Sequence, residues 1–128
     1  MFANRTYQPY IEAELRQALV YELASRGEKV SGDLSDFVLS GEIASLTAEA
    51  SAFSSVDQAK HYRILVEVQS QLADRKSGRI VWKGTETVRQ GYPASADLAI
   101  ERNAHDAAVT AACASAARTL VEKMNQSF

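Results

Sequence analysis

The side chains that could support catalysis or bind a metal are few in this sequence: two histidines, His61 and His105, and one cysteine, Cys113. Neither histidine lies in a motif that binds a metal or activates a nucleophile. Glu101 and His105 lie one helical turn apart, which could seat a metal, but such a pair without further ligands is usually a surface contact. We therefore predict no metal site.

Catalytic motifs are also missing from the sequence. It contains no GxSxG, Walker A or GxGxxG motif, and its carboxylates are dispersed, so paired acid and base roles cannot be assigned. Cys113 stands in the alanine-rich run 111–114 and is interpreted as a small core residue. We predict that the protein has no catalytic residue and no cofactor, is not an enzyme, and acts by binding.

The segment from residue 63 to residue 89 carries a group of arginine and lysine side chains that could bind an anion. By strand parity, Arg63, Lys83 and Arg89 share one face, and Arg75 and Lys76 stand at a turn with Arg79 nearby. Guanidinium and ammonium groups suit phosphate groups. Alternatively, they keep an exposed face solvated and protect strand edges. The candidate anion-binding residues are Arg63, Arg75, Lys76, Lys83 and Arg89.

The length and the net charge of the chain limit which classes of protein it can belong to. The 128 residues fit one domain, residues 1–128. A net charge of -2 predicts no general attraction to nucleic acid. No stretch approaches the roughly 20 apolar residues of a membrane helix, and no signal peptide is present, although a removed export signal would leave no trace.

Periodicity predicts the elements that position these residues. Apolar residues spaced by three and four predict a helix from about Pro9 to Arg26, ended by Gly27. A strand follows from Phe37, in which Ile43 and Leu46 fall on opposite parities, so a bulge near 44–45 is predicted. Residues 1–4 could be the end of another strand.

The clearest pattern runs from His61 to Leu72, where apolar and polar residues alternate, as in a strand with one buried and one exposed face. The turn 74–78 then leads into a second strand, in which Ile80, Trp82, Gly84 and Val88 are predicted to face inward. Ser95 and Asp97 can cap a long helix from about Ala96 to Lys123. Its stripe of small residues would let it lie close to the sheet.

These elements predict an α+β fold: a two-layer sandwich in which two helices pack on one face of a mostly antiparallel sheet of three to four strands. The coarse order is helix, three strands, helix.

Several segments in this order resemble the LptE-like lipopolysaccharide-assembly lipoproteins of Gram-negative outer membranes. The resemblance spans nearly the whole chain, in short and degenerate pieces. The residues that carry it are Phe2-Ala3-Asn4-Arg5-Thr6, Tyr10-Ile11-Glu12 with Leu15, Phe37-Val38-Leu39-Ser40-Gly41-Glu42-Ile43, Tyr62-Arg63-Ile64, Leu72-Ala73-Asp74, Val81-Trp82-Lys83-Gly84 and Tyr92.

The resemblance implies a lipoprotein at the periplasmic face of the outer membrane that plugs the barrel LptD and contacts lipopolysaccharide during its transport to the outer leaflet. Members of this family carry a lipidated cysteine near the mature start, and usually a strand before the segment corresponding to residues 2–6. Cys113 cannot be that anchor. We expect a signal peptide, a lipidated cysteine and a first strand to precede this sequence in the native protein.

The alternative is another envelope lipoprotein of helix-and-sheet build. Proteins similar to the TolB amino-terminal domain or to LpoB also begin with a Phe-x-Asn segment before a helix, and they scaffold or activate a periplasmic partner. Capture of a cell-wall synthase or a Tol component would favour this alternative, whereas binding to a barrel and to lipopolysaccharide would favour the LptE-like function.

Overall fold

A computed structural model describes residues 2–25, 37–53 and 59–126. In chain order its elements are β1 (Phe2–Asn4), α1 (Ile11–Ser25), β2 (Phe37–Phe53), β3 (Ala59–Asp74), β4 (Ile80–Pro93) and α2 (Leu98–Gln126). The helices pack on one face of a four-stranded sheet of order β1-β2-β3-β4, so the predicted α+β fold is confirmed.

The sheet is mixed because β1 runs parallel to β2, whereas β2, β3 and β4 pair antiparallel. The predicted order of helix, three strands and helix therefore lacked one strand, the three-residue β1. Residues 1–4 were predicted as the end of a strand, and residues 2–4 form one, but such a short segment has no periodicity from which its pairing could be predicted.

The alternating pattern of β3 is confirmed by burial. Ile64, Val66, Val68 and Leu72 are buried beneath the helices, and Tyr62 packs at the margin of the same core. Leu65, which interrupts the alternation, lies on the opposite face between Thr47 and Arg89. The face that carries the even-numbered residues of β3 is the inner face, and the other is called the open face below.

The predicted bulge in β2 is also confirmed. The register shifts between Ile43 and Ser45, so that Ile43 pairs with Val68 and Leu46 pairs with Val66. Because cross-strand partners share a face, both apolar residues reach the inner face despite their opposite parities.

The prediction that Ile80 faces inward is wrong. A register shift in the β3–β4 pairing, between Leu72 and Ala73, places Ile80 opposite Ala73 on the open face, while Trp82 pairs with Leu72 on the inner face. The extra residue of this bulge changes the parity of β4 at its start. Ile80 consequently remains 47% exposed.

The helices begin close to their predicted starts. Asp97 caps α2 by accepting hydrogen bonds from the backbone N–H groups of Ala99 and Ile100, at 2.9 and 3.3 Å. The small residues predicted to face the sheet from α2 are buried. On α1, the apolar residues at every fourth position are also buried: Ile11, Leu15, Leu19 and Leu23. The predicted helix end at Arg26 and Gly27 lies outside the described residues.

Candidate binding surface

The open face of the sheet carries the three cations that were assigned to one face by parity. Arg63 pairs across the sheet with Gly91, Lys83 with Gln71, and Arg89 with Leu65. These partners lie on the side opposite the buried residues of β3, and the described helices contact only that buried side. The predicted location of Arg63, Lys83 and Arg89 is therefore confirmed.

Carboxylates on β2 offset part of this positive charge. Arg63 forms an ion pair with Glu49 directly opposite it, with 3.1 Å between Arg63 Nε and Glu49 Oε1. Near the other end of β2, Arg5 Nε lies 2.9 Å from Glu42 Oε2. Neither Glu42 nor Glu49 was among the predicted site residues. Each stands between two residues of like parity on β2, and this alternation could have indicated that it faces the open side. Among the described residues, Lys83 and Arg89 have no ion-pair partner.

Arg75 and Lys76 are exposed in the turn between β3 and β4, together with Arg79. Arg63 and Arg75 are separated by twelve positions of β3 and its turn, which at roughly 3.3 Å per residue corresponds to about 40 Å. The five candidate residues therefore do not form one cluster, because Arg63 and the turn cations lie toward opposite ends of the β3–β4 hairpin.

A shallow hollow of about 400 Å³ opens beside Lys83. Its outward side chains offer hydroxyl, amide, carboxylate and ammonium groups, and they suit a polar or anionic ligand better than an apolar one. The residues around it are Ser40, Gly41, Glu42, Gln69, Ser70, Gln71 and Lys83.

Of the two histidines, His61 is exposed on β3, and His105 makes a packing contact and a surface contact. The ring of His105 stands edge-on to Tyr92 at a centroid distance of 5.5 Å, and its Nδ1 lies 3.5 Å from Asp106 Oδ1. Tyr92 also stacks on Tyr62 at 5.5 Å, and burial raises the pKa of its hydroxyl. Within the described ranges, no group of three or more His, Cys, Asp or Glu side chains could hold a metal ion.

Cys113, a residue of α2, is buried in the hydrophobic core, in agreement with its interpretation as a core residue. Burial, with a smaller contribution from the charge of Glu14, raises the pKa of its thiol to about 12. The folded protein therefore disfavours the thiolate, which is the nucleophilic form of cysteine.

We expect Cys113 in the native chain to react with a thiol reagent at pH 8 at least about a hundredfold more slowly than in denaturant, because an unfolded thiol has a pKa of about 8.5. Timed alkylation followed by mass spectrometry measures this ratio. A Ser77→Cys variant supplies an exposed thiol in the β3–β4 turn as a control and should be modified rapidly in both states. Equal native rates at the two positions would contradict the buried placement of Cys113.

No helix in the described part of the chain combines the length and apolar character needed to cross a membrane. A family model described as LptE, lipopolysaccharide-assembly, matches residues 1–124. No curated protein matches the chain significantly.

Solved structures share this fold. The rare lipoprotein B from Shewanella oneidensis superposes with a TM-score of 0.69 at 14% identity, covering 98% of this chain and 93% of that one. A protein from Caulobacter crescentus CB15 gives 0.63 at 22% identity, covering 93% and 83% of the two chains. The minor lipoprotein from Acinetobacter baumannii gives 0.61 at 14% identity, covering 96% and 90%. The shared architecture thus extends over most of each chain.

Proposed function

Because the chain belongs to the LptE lipopolysaccharide-assembly family, we propose that it is an outer-membrane lipoprotein that binds and plugs an LptD-like barrel and contacts lipopolysaccharide during transport to the outer leaflet. The observation that carries this proposal is the family match over residues 1–124. In the native form the protein would be held at the periplasmic face of the outer membrane by a lipid anchor ahead of β1.

The two faces of the sheet support a binding role. Helices α1 and α2 bury the inner face, whereas the open face presents polar and charged side chains across β2, β3 and β4. A polar sheet face can meet the hydrophilic inner wall of a barrel, since the lumen-facing residues of outer-membrane barrels are polar. We propose that this face contributes to contact with the barrel and that no reaction is catalysed.

For lipopolysaccharide, we propose contact with the cations of the β3–β4 hairpin. Lys83 and Arg89 are the central pair, because they are exposed and have no ion-pair partner among the described residues. Arg63 lies on the same face but shares its charge with Glu49. Arg75 and Lys76 would contribute from the turn. Phosphate groups on the ligand would form charge-assisted hydrogen bonds with these side chains.

Co-purification tests the partnership. The full-length precursor would be expressed in its own envelope with an affinity tag, and the retained molecules would be identified by mass spectrometry. Recovery of a large outer-membrane barrel together with lipopolysaccharide is expected. Recovery of a cell-wall synthase or a Tol component instead would favour the alternative of a scaffolding or activating envelope lipoprotein.

In the tagged full-length protein, the double variant Lys83→Glu/Arg89→Glu should bind lipopolysaccharide about tenfold or more weakly, because each cation near an anionic lipid contributes roughly 1 kcal/mol. Arg102→Glu/Arg118→Glu is the matched control, since it makes the same change in net charge at exposed positions of α2. Equal losses in both variants, or no loss in either, would contradict the open face as the contact surface.

A further inference from the structure

The end of the sheet at the β3–β4 turn differs from the rest of the open face. There Val38 pairs with Ala73, and Ala73 pairs with Ile80, so three apolar residues form a row across β2, β3 and β4. The next row of the same face is entirely polar, formed by Ser40, Gln71 and Lys83. Leu65, farther along β3, also lies on this face, but its cross-strand partners Thr47 and Arg89 are polar, so the continuous apolar row is at the edge beside the turn.

This apolar row is exposed. Val38 is 37% exposed and Ile80 is 47% exposed, and Val81, the extra residue of the bulge, is 38% exposed. These are stiff, β-branched side chains at the end of a regular sheet. They offer a small apolar surface whose shape is held by the strands.

The turn places cations directly beside that row. Asp74 Oδ1 accepts the backbone N–H groups of Lys76 and Ser77, at 2.8 and 3.3 Å, and the N–H of Gly78 donates to the Asp74 carbonyl at 2.8 Å. Gly78 adopts a positive φ of 74°, which glycine permits without strain. The turn is thus held by its own hydrogen bonds while Lys76 and Arg79 stay exposed.

The direction of β1 relates this end to the membrane anchor of the proposed function. Phe2 pairs with Gly41 and Asn4 with Ile43, and β2 begins at Phe37 beside the turn residue Asp74. Strand β1 therefore runs away from the turn. A lipid anchor ahead of β1 would approach the sheet from the same end as the apolar row and the cations.

We propose that this surface, the hairpin end, consisting of Val38, Ala73, Ile80 and Val81 with the cations Arg75, Lys76 and Arg79, docks on a bilayer that contains anionic phospholipid. The apolar row lies at the boundary between head groups and acyl chains, and the cations reach the phosphates, as in other interfacial segments that combine apolar and basic residues. This inference rests on the lipid-anchored part of the proposed function and adds a protein surface to the anchor.

The test uses the 128-residue chain produced without lipidation. Co-sedimentation is measured with vesicles of phosphatidylglycerol mixed with phosphatidylcholine, and with vesicles of phosphatidylcholine alone. We expect binding to the anionic vesicles that weakens as salt is added, and much weaker binding to the neutral vesicles. The variant Lys76→Gln/Arg79→Gln should lower the partition coefficient about thirtyfold, since each cation near an anionic surface contributes roughly fivefold.

Matched variants separate this docking from general charge attraction. Arg102→Gln/Arg118→Gln removes the same charge from α2 and should change the partition less than about threefold. Ile80→Thr keeps a β-branched residue but removes apolar area, and it should lower the binding that persists at high salt. Equal effects of the two charge variants, or an Ile80→Thr variant that binds like the parent chain, would overturn the proposal.

Failure of this inference is distinguishable from failure of the proposed function. A chain that binds lipopolysaccharide aggregates and its barrel, but not phosphatidylglycerol vesicles, overturns docking on the bilayer and leaves the assembly role intact. Binding to anionic vesicles that depends on Lys76 and Arg79 supports the hairpin end as a membrane contact, even where co-purification identifies a different partner.

Discussion

Replacing Ile64 with alanine is expected to lower the free energy of unfolding by about 4 kcal/mol, because a fully buried isoleucine loses its transfer free energy and leaves a cavity. Ile64 is 0% exposed and lies on the central strand β3, between Ala48 and Gln90. Urea unfolding followed by circular dichroism gives the change in free energy, and a constant m-value would show that the unfolding reaction is unchanged.

The neighbouring residue provides the control for Ile64. Leu65 points to the open face and is only partly buried, so Leu65→Ala should cost about 1 kcal/mol or less. The two substitutions remove side chains of the same size from adjacent positions of one strand. Similar losses of stability would contradict the assignment of inner and open faces on β3.

Replacing Gly41 with alanine is expected to cost about 3 kcal/mol through overpacking. A Cβ atom on Gly41 would lie 2.0 Å from the carbonyl oxygen of Gln69 and 2.8 Å from the Cα of Ser70. Both atoms belong to the backbone of β3, so relief requires the paired strands to move apart. Gly41 also pairs with Phe2, and such a shift should weaken the attachment of β1.

The Gly41 prediction has a matched control on β4. A Cβ atom on Gly91 would lie 3.6 Å from the carbonyl oxygen of Tyr62, which is ordinary van der Waals contact. Gly91→Ala should therefore be neutral or slightly stabilising, because it reduces the freedom of the unfolded chain. Thermal unfolding of both variants measures the difference. A loss of stability for Gly91→Ala that matches Gly41→Ala would show that the close approach at Gly41 is not the cause.

These structural predictions bear on function because both binding surfaces depend on the register of the long strands. The open face displays Lys83 and Arg89 only while β3 and β4 keep their pairing. The hairpin end depends on the bulge that moves Ile80 to the open face. A shift of one residue would move every side chain of a strand to the other face and exchange polar residues for apolar ones.

Much of the fold could be predicted because the pattern is local. Alternation in β3 identifies its buried residues, and the change of parity between Ile43 and Leu46 predicts a bulge that the register confirms. The cap at Asp97 and the small buried residues of α2 were predicted from residue type and helical spacing. In each case the residues responsible lie within a few positions of one another.

The candidate site was predicted less completely because it depends on contacts between strands. Parity correctly placed Lys83 and Arg89 on one face, but the ion pair of Arg63 with Glu49 joins residues fourteen positions apart. The separation of the turn cations from Arg63 becomes evident once β3 is known to extend to Asp74. The roles of these cations in lipopolysaccharide contact stay predictions.

The helices, the three long strands and the face on which most of their side chains lie could be predicted from the residue pattern, because periodicity and capping are properties of neighbouring residues. Three features required the folded chain: the parallel pairing of β1 with β2, the exposed apolar row of Val38, Ala73 and Ile80, and the ion pair of Glu49 with Arg63. Each of these depends on which strands pair and in which register. That choice is made by packing and backbone hydrogen bonding over the whole sheet.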